Sequence, residues 1–118
     1  MTSWQPAEIA WDQAAGREAA PGISGSLRTG SELSAARFRL EPGATVPRHA
    51  HPNEEFGQVL SGSLELDVGG HVSVLRAGAG FLIPRDITHA ARAGQEGCVL
   101  LECYAPPRDP FPPAGGQS

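Results

Sequence analysis

The chain has 118 residues, a length that buries enough apolar surface for one cooperative core and too little for two. Its formal net charge is −4, with nine Lys+Arg against 13 Asp+Glu, which leaves no cationic surface for a phosphate backbone and argues against a nucleic-acid partner. All the basic residues are arginine, so a Schiff-base mechanism or a lysine general base is excluded.

No apolar run approaches the roughly 20 residues needed to cross a bilayer, and the amino terminus lacks a basic region followed by an apolar stretch. A cytoplasmic protein with no membrane partner is expected. Residues 1–24 mix Ala, Glu, Gln and Pro with Trp4, Ile9 and Trp11. They predict an amino-terminal arm with about one helical turn, its aromatics packed on the body.

Residues 25–108 change character: short apolar-rich segments alternate with Gly and Pro, the punctuation of an all-β sandwich or barrel. The predicted strands are Ser34–Leu40, Val46–Ala50, Glu55–Leu60, Ser63–Val68, Val72–Leu75, Phe81–Ile83, His89–Ala91 and Cys98–Tyr104, with Gly69-Gly70 as a hairpin turn. Strict alternation in Leu64-Glu65-Leu66-Asp67-Val68 turns the two carboxylates to solvent. Alternation also turns Arg37 and Arg39 away from the interior that Phe38 and Leu40 face. Cys98 and Cys103 fall on opposite faces of one apolar strand, which predicts reduced thiols. Residues 109–118 continue a Pro-rich stretch and are expected to form an irregular tail.

The chemistry concentrates on four residues. His49 and His51 share a strand face, Glu55 has the same parity across the turn-forming Pro52-Asn53-Glu54, and His89 arrives from a distant segment after Pro84-Arg85-Asp86. Three neutral imidazoles and a carboxylate suit one divalent transition-metal ion, Fe, Mn, Ni, Co or Zn, with positions left open for water or substrate. Glu54 competes with Glu55, but its parity points to the other face. Ordinary surface histidines near a turn are the alternative reading of His49-Ala50-His51. His71, after the Gly69-Gly70 turn, reads as an exposed hairpin residue.

The spacing extends beyond the four. Gly43, five residues, His49, one, His51, three, Glu55, six, Gly62 is followed by Gly78, five residues, Pro84, four, His89. This pattern resembles the two signature motifs of the cupin superfamily, over residues 40–93. Two positions depart from it: Asp86 stands where cupins usually carry glycine, and Ala93 where asparagine is usual. The resemblance implies a single-domain cupin, a double-stranded β-helix or jelly-roll barrel, with His49, His51, Glu55 and His89 as metal ligands and a homodimer formed through a sheet face.

The closing segment Leu101-Glu102-Cys103-Tyr104-Ala105-Pro106-Pro107-Arg108 resembles that of the pectin-degradation cupins, which linearise unsaturated uronate sugars. Carried over, it implies catalytic roles for Glu102, Tyr104 and Arg108: a proton-moving carboxyl, an aromatic pocket wall and a clamp on a substrate carboxylate. That group usually has Asp and Phe at the first two positions, and often Gln at the position of Glu55. The other reading of the three is a satisfied strand pair at the barrel rim and a solvated arginine.

The leading functional expectation is Lewis-acid and proton-transfer chemistry on a small oxygen-rich substrate, a carboxylate or an enol or carbonyl compound. Isomerase, lyase, cyclase and sugar-acid ring-opening reactions all fit. The alternatives are a non-haem iron dioxygenase, which the three-His, one-Glu set resembles, and a non-enzymatic small-ligand-binding cupin.

Overall fold

Alternating apolar and polar residues need a partner strand on each side and a core on one face, and the chain meets both needs by pairing with itself throughout. A computed structural model describes residues 8–12 and 16–108. Trp4 and the tail 109–118 lie outside the described residues. All regular structure among the described residues is β. In chain order the strands are β1 Arg17–Ala20, β2 Ile23–Thr29, β3 Ser34–Leu40, β4 Thr45–His49, β5 Glu54–Val68, β6 His71–Arg76, β7 Gly80–Ile83 and β8 His89–Ala105.

Two long strands organise the rest. β5 and β8 pair antiparallel from Glu54↔Ala105 to Val68↔His89. The first half of β5 also pairs β7, and its second half β6. The first half of β8 pairs β4, and its second half β3, which leads outward to β2 and β1. Each long strand therefore runs through both layers of a jelly roll, one built on β1, β2, β3 and β7, the other on β4 and β6. Leu40, Val59, Leu64, Leu66, Ile83, Ala93, Cys98 and Leu100 fill the space between the layers.

The bends that let β5 and β8 change layer correct the sequence reading. Glu55–Leu60 and Ser63–Val68 are one strand, as are His89–Ala91 and Cys98–Tyr104. What reads as a turn at Ser61-Gly62 is a pair of register irregularities within β5, where an extra residue bends a strand without ending it. Gly62 sits there at φ 76°, and a Cβ on it would overlap the Gly97 carbonyl of β8. Only glycine permits both the conformation and the approach.

Residues 17–24, expected within an arm, form β1 and the start of β2 and are paired into the sheet. The alternation in β2 is interrupted at Gly25, whose Cβ would meet the ring of Phe38 directly across on β3. Phe38 fills the place of the missing side chain. Arg37 pairs with Asp12 at 2.8 Å on the outer face, and Arg48 pairs with Asp67 at 2.7 Å. Both cysteines are free thiols, Cys98 buried and Cys103 on the opposite face. No helix among the described residues is long and apolar enough to cross a membrane.

Candidate metal centre

His49 and His89 are direct cross-strand partners on β4 and β8, which brings residues 40 positions apart in sequence side by side. His51 lies in the connection to β5, and the Asp86 amide fixes its carbonyl at 2.8 Å. Glu55, the second residue of β5, turns its side chain inward, whereas Glu54 is exposed. One ligand atom from each of His49, His51 and His89 lies within 4.8 Å of the other two. Glu55 Oε1 is 3.1 Å from His51 Nε2 and 3.5 Å from His89 Nε2. The four side chains singled out in the sequence thus meet at one place inside the barrel.

The rings are oriented by backbone. Nδ1 of His49 lies 2.7 Å from the Pro47 carbonyl, that of His51 3.0 Å from the Asn53 carbonyl, and that of His89 2.9 Å from the Ile87 carbonyl. A carbonyl only accepts, so each Nδ1 carries a proton, and a ring in its neutral form then has its Nε2 lone pair available to a cation. His89 Nε2 is buried with no hydrogen-bond partner. An unpaired buried nitrogen is costly, and a cation is the partner its lone pair fits. The donor set of three imidazole nitrogens and a carboxylate fits a divalent transition metal.

Electrostatics divide the two acids. Burial works against ionisation of Glu55, but the His51 hydrogen bond and its His89 and Glu102 neighbours outweigh it and hold the carboxyl well below the usual range. Burial, and then the charge of Glu55, push Glu102 well above that range and favour its protonated form. The Tyr104 hydroxyl donates to Glu102 Oε1 at 2.5 Å, and burial raises this phenol in turn. Burial drives His49 down to about 4, so it is neutral and able to ligate at physiological pH.

Glu102 and Tyr104 both point into the barrel and are buried. Arg108 reaches the same cavity with its guanidinium carbon 5.4 Å from the centre of the Tyr104 ring. Its amide donates to Ser34 Oγ at 2.9 Å. Arg85 is exposed, and Arg48 faces Asp67 on the outside.

Sequence reasoning missed Asn53, which it read only as part of a turn. This buried side chain donates to the Pro106 carbonyl at 2.6 Å and to that of Pro107 at 3.3 Å, while the main-chain carbonyl of Asn53 accepts from His51. Asn53 thereby links the ring of His51 to the segment that carries Arg108.

A family model for the cupin domain matches residues 36–104. The chain is a cupin. It is 35% identical over 77 residues to "Polyketide synthase CurC" of Streptomyces cyaneus, an alignment covering 64% of this chain and 50% of the other. This cupin therefore spans about half the length of that relative. It is 26% identical over 102 residues to "Pectin degradation protein KdgF" of Dickeya dadantii (strain 3937), covering 85% and 93% of the two chains. The solved structure of KdgF from a Halomonas species superposes with a TM-score of 0.84 at 22% identity, over 89% of this cupin and 97% of that chain. At that identity the likeness establishes the jelly-roll fold.

Proposed function

We propose that this cupin is a metal-dependent enzyme that transfers a proton at a carbon next to a carbonyl or enol of a small substrate, in an isomerase, lyase, cyclase or ring-opening reaction. The observation that carries the proposal is a pair of buried carboxyls, Glu102 pushed toward its protonated form and Glu55 toward its ionised form, beside a cluster of three imidazoles. His49, His51, Glu55 and His89 would hold one divalent ion, Fe, Mn, Ni, Co or Zn. When bound, such an ion supplies Lewis acidity toward a substrate oxygen.

Glu102 is the acid of the scheme. Its surroundings favour the protonated form while those of Glu55 favour the ionised one, and two carboxyls pushed apart in this way are a pair suited to opposite roles. As Glu102 gives up its proton, the Tyr104 hydroxyl still donates to Oε1 and stabilises the carboxylate that forms. Arg108 supplies a fixed positive charge in the same cavity and can grip a substrate carboxylate through two parallel hydrogen bonds.

The test starts with elemental analysis of protein purified without added metal. Oxo- and enol-acids are then incubated with it in D2O, and deuterium incorporation is followed by NMR. Glu102→Gln should keep the metal and lose exchange by roughly 10²–10⁴-fold. Unchanged exchange in that variant would remove Glu102 from the mechanism, and saturable binding with no chemistry would favour a ligand-binding module.

One observation favours a second reading, a non-haem iron dioxygenase: the ionised carboxylate of Glu55 in the cluster adds negative charge, which stabilises a higher oxidation state. Oxygen uptake during turnover separates it from the first. Self-association fits the outer face of the β5–β7 pair, where the cross-strand partners Phe56 and Leu82 are exposed. Light scattering on the eluting peak measures it.

A further inference from the structure

The lining of the barrel cavity divides into a small polar set and a larger apolar one. Its polar lining is confined to His49, Glu55, His89, Glu102, Tyr104 and Arg108, the groups of the candidate centre. Every other lining side chain among the described residues is hydrocarbon, including Ile23, Leu27, Phe38, Val46, Leu66 and Phe81. Much of the strand backbone behind these side chains is paired into the sheet, which ties up donors and acceptors it would otherwise offer.

Two glycines shape the apolar part. Phe81 on β7 stands directly across from Gly57 on β5, and its ring covers the space a Cβ there would need. Phe38 does the same to Gly25 of β2. In both pairs a ring settles over a bare backbone, leaving its other side to the cavity, which has a volume of about 100 Å³. That is of the order of the ~150 Å³ dry cavity, lined by Leu, Ile and Phe, that takes benzene.

We propose that the substrate of this site is amphipathic: an apolar body the size of about one ring held against Phe38, Phe81 and Leu27, with its oxygens confined to the end that meets His49, Glu55, His89 and Arg108. The assignment of the oxygen-bearing end rests on the metal-dependent reading above. A polyhydroxylated sugar acid is disfavoured, because its ring hydroxyls would be buried against hydrocarbon with no partner. Each such hydroxyl weakens binding by about tenfold or more.

Calorimetric titration of the metal-loaded protein with 2-hydroxybenzoate and with D-galacturonate tests the proposal. The two probes carry the same carboxylate and differ in the body attached to it. The expected result is that 2-hydroxybenzoate binds at least tenfold more tightly, with a negative heat-capacity change from apolar burial. Equal affinities, or tighter binding of galacturonate, would overturn it. Leu27→Asn places an amide in the apolar wall and should weaken 2-hydroxybenzoate about tenfold while leaving galacturonate no weaker. Should that variant fail to fold, the comparison of the two probes on the parent chain stands alone. Metal content is measured on the same samples, which separates the two readings. Preference for the aromatic probe by protein that holds no metal supports the apolar body and sinks the metal-dependent reading. Preference for galacturonate by metal-loaded protein does the reverse.

Discussion

Replacing Asn53 by alanine tests whether the C-terminal segment is latched over the barrel or merely lies there. The substitution removes the donor that reaches the Pro106 and Pro107 carbonyls at 2.6 and 3.3 Å, from a side chain only 6% exposed. A made hydrogen bond contributes about 1 kcal/mol, and a buried acceptor left without one costs about 1–3 kcal/mol. With the shorter bond dominating, the loss should be about 2 kcal/mol. For a domain of this size that lowers Tm by roughly 8 °C. Urea denaturation followed by circular dichroism measures the free energy. Hydrogen exchange measures the Arg108 amide, which should lose protection because its bond to Ser34 Oγ depends on the same segment. Asn53→Asp should be worse than alanine, because it sets a carboxylate against two carbonyl oxygens. A change below about 0.5 kcal/mol, with Arg108 still protected, would refute the latch.

Three further outcomes are expected. Adding a divalent transition metal at a thousand times its dissociation constant should stabilise the protein by about 4 kcal/mol; His89→Ala should abolish that gain in a thermal melt, and a gain equal to the parent's would remove His89 from the ligand set. Asp86 sits at φ 65°, a left-handed conformation that glycine takes without strain, so Asp86→Gly should raise stability by about 0.5–1 kcal/mol in urea denaturation, and destabilisation would mean that its side chain matters more than its backbone. Burial pushes the Cys98 thiol up to about 11, so at pH 8 its reaction with a disulfide reagent should be about a hundredfold slower than that of an ordinary cysteine. The linked stability is complete below the unfolded thiol's pKa and falls as pH rises from there toward 11, because the unfolded chain releases the proton first. Reaction of Cys98 at the ordinary rate in native protein would contradict the burial argument.

The sequence carried the local parts of this molecule well and the non-local parts poorly. β3 was legible to the residue because its alternation from Ser34 to Leu40 is unbroken. β5 and β8 each looked like two strands because glycines such as Gly62, Gly94 and Gly97 punctuate them. Whether such a glycine ends a strand or bends it depends on what packs against it, here the Gly97 carbonyl against Gly62. β2 escaped notice because Gly25 interrupts its pattern, and only the position of Phe38 on the neighbouring strand explains the gap. The meeting of His49, His51, Glu55 and His89 could be anticipated from residue type, parity and spacing. Asn53 could not, since its partners lie 53 and 54 positions away. Asp86, a departure from the glycine usual in cupins, proves to occupy a left-handed position, which explains why glycine is usual there.

The main-chain carbonyls behind the three imidazoles have a consequence for how such a protein changes over generations. Where a carboxylate or amide side chain sets a ring's tautomer, a single codon change can release it. Here the acceptors at positions 47, 53 and 87 belong to the peptide itself, and no amino-acid replacement deletes a peptide oxygen. Inherited variation can therefore reshape reactivity mainly through the acids at 55 and 102 and the phenol at 104, while the aim of the rings persists.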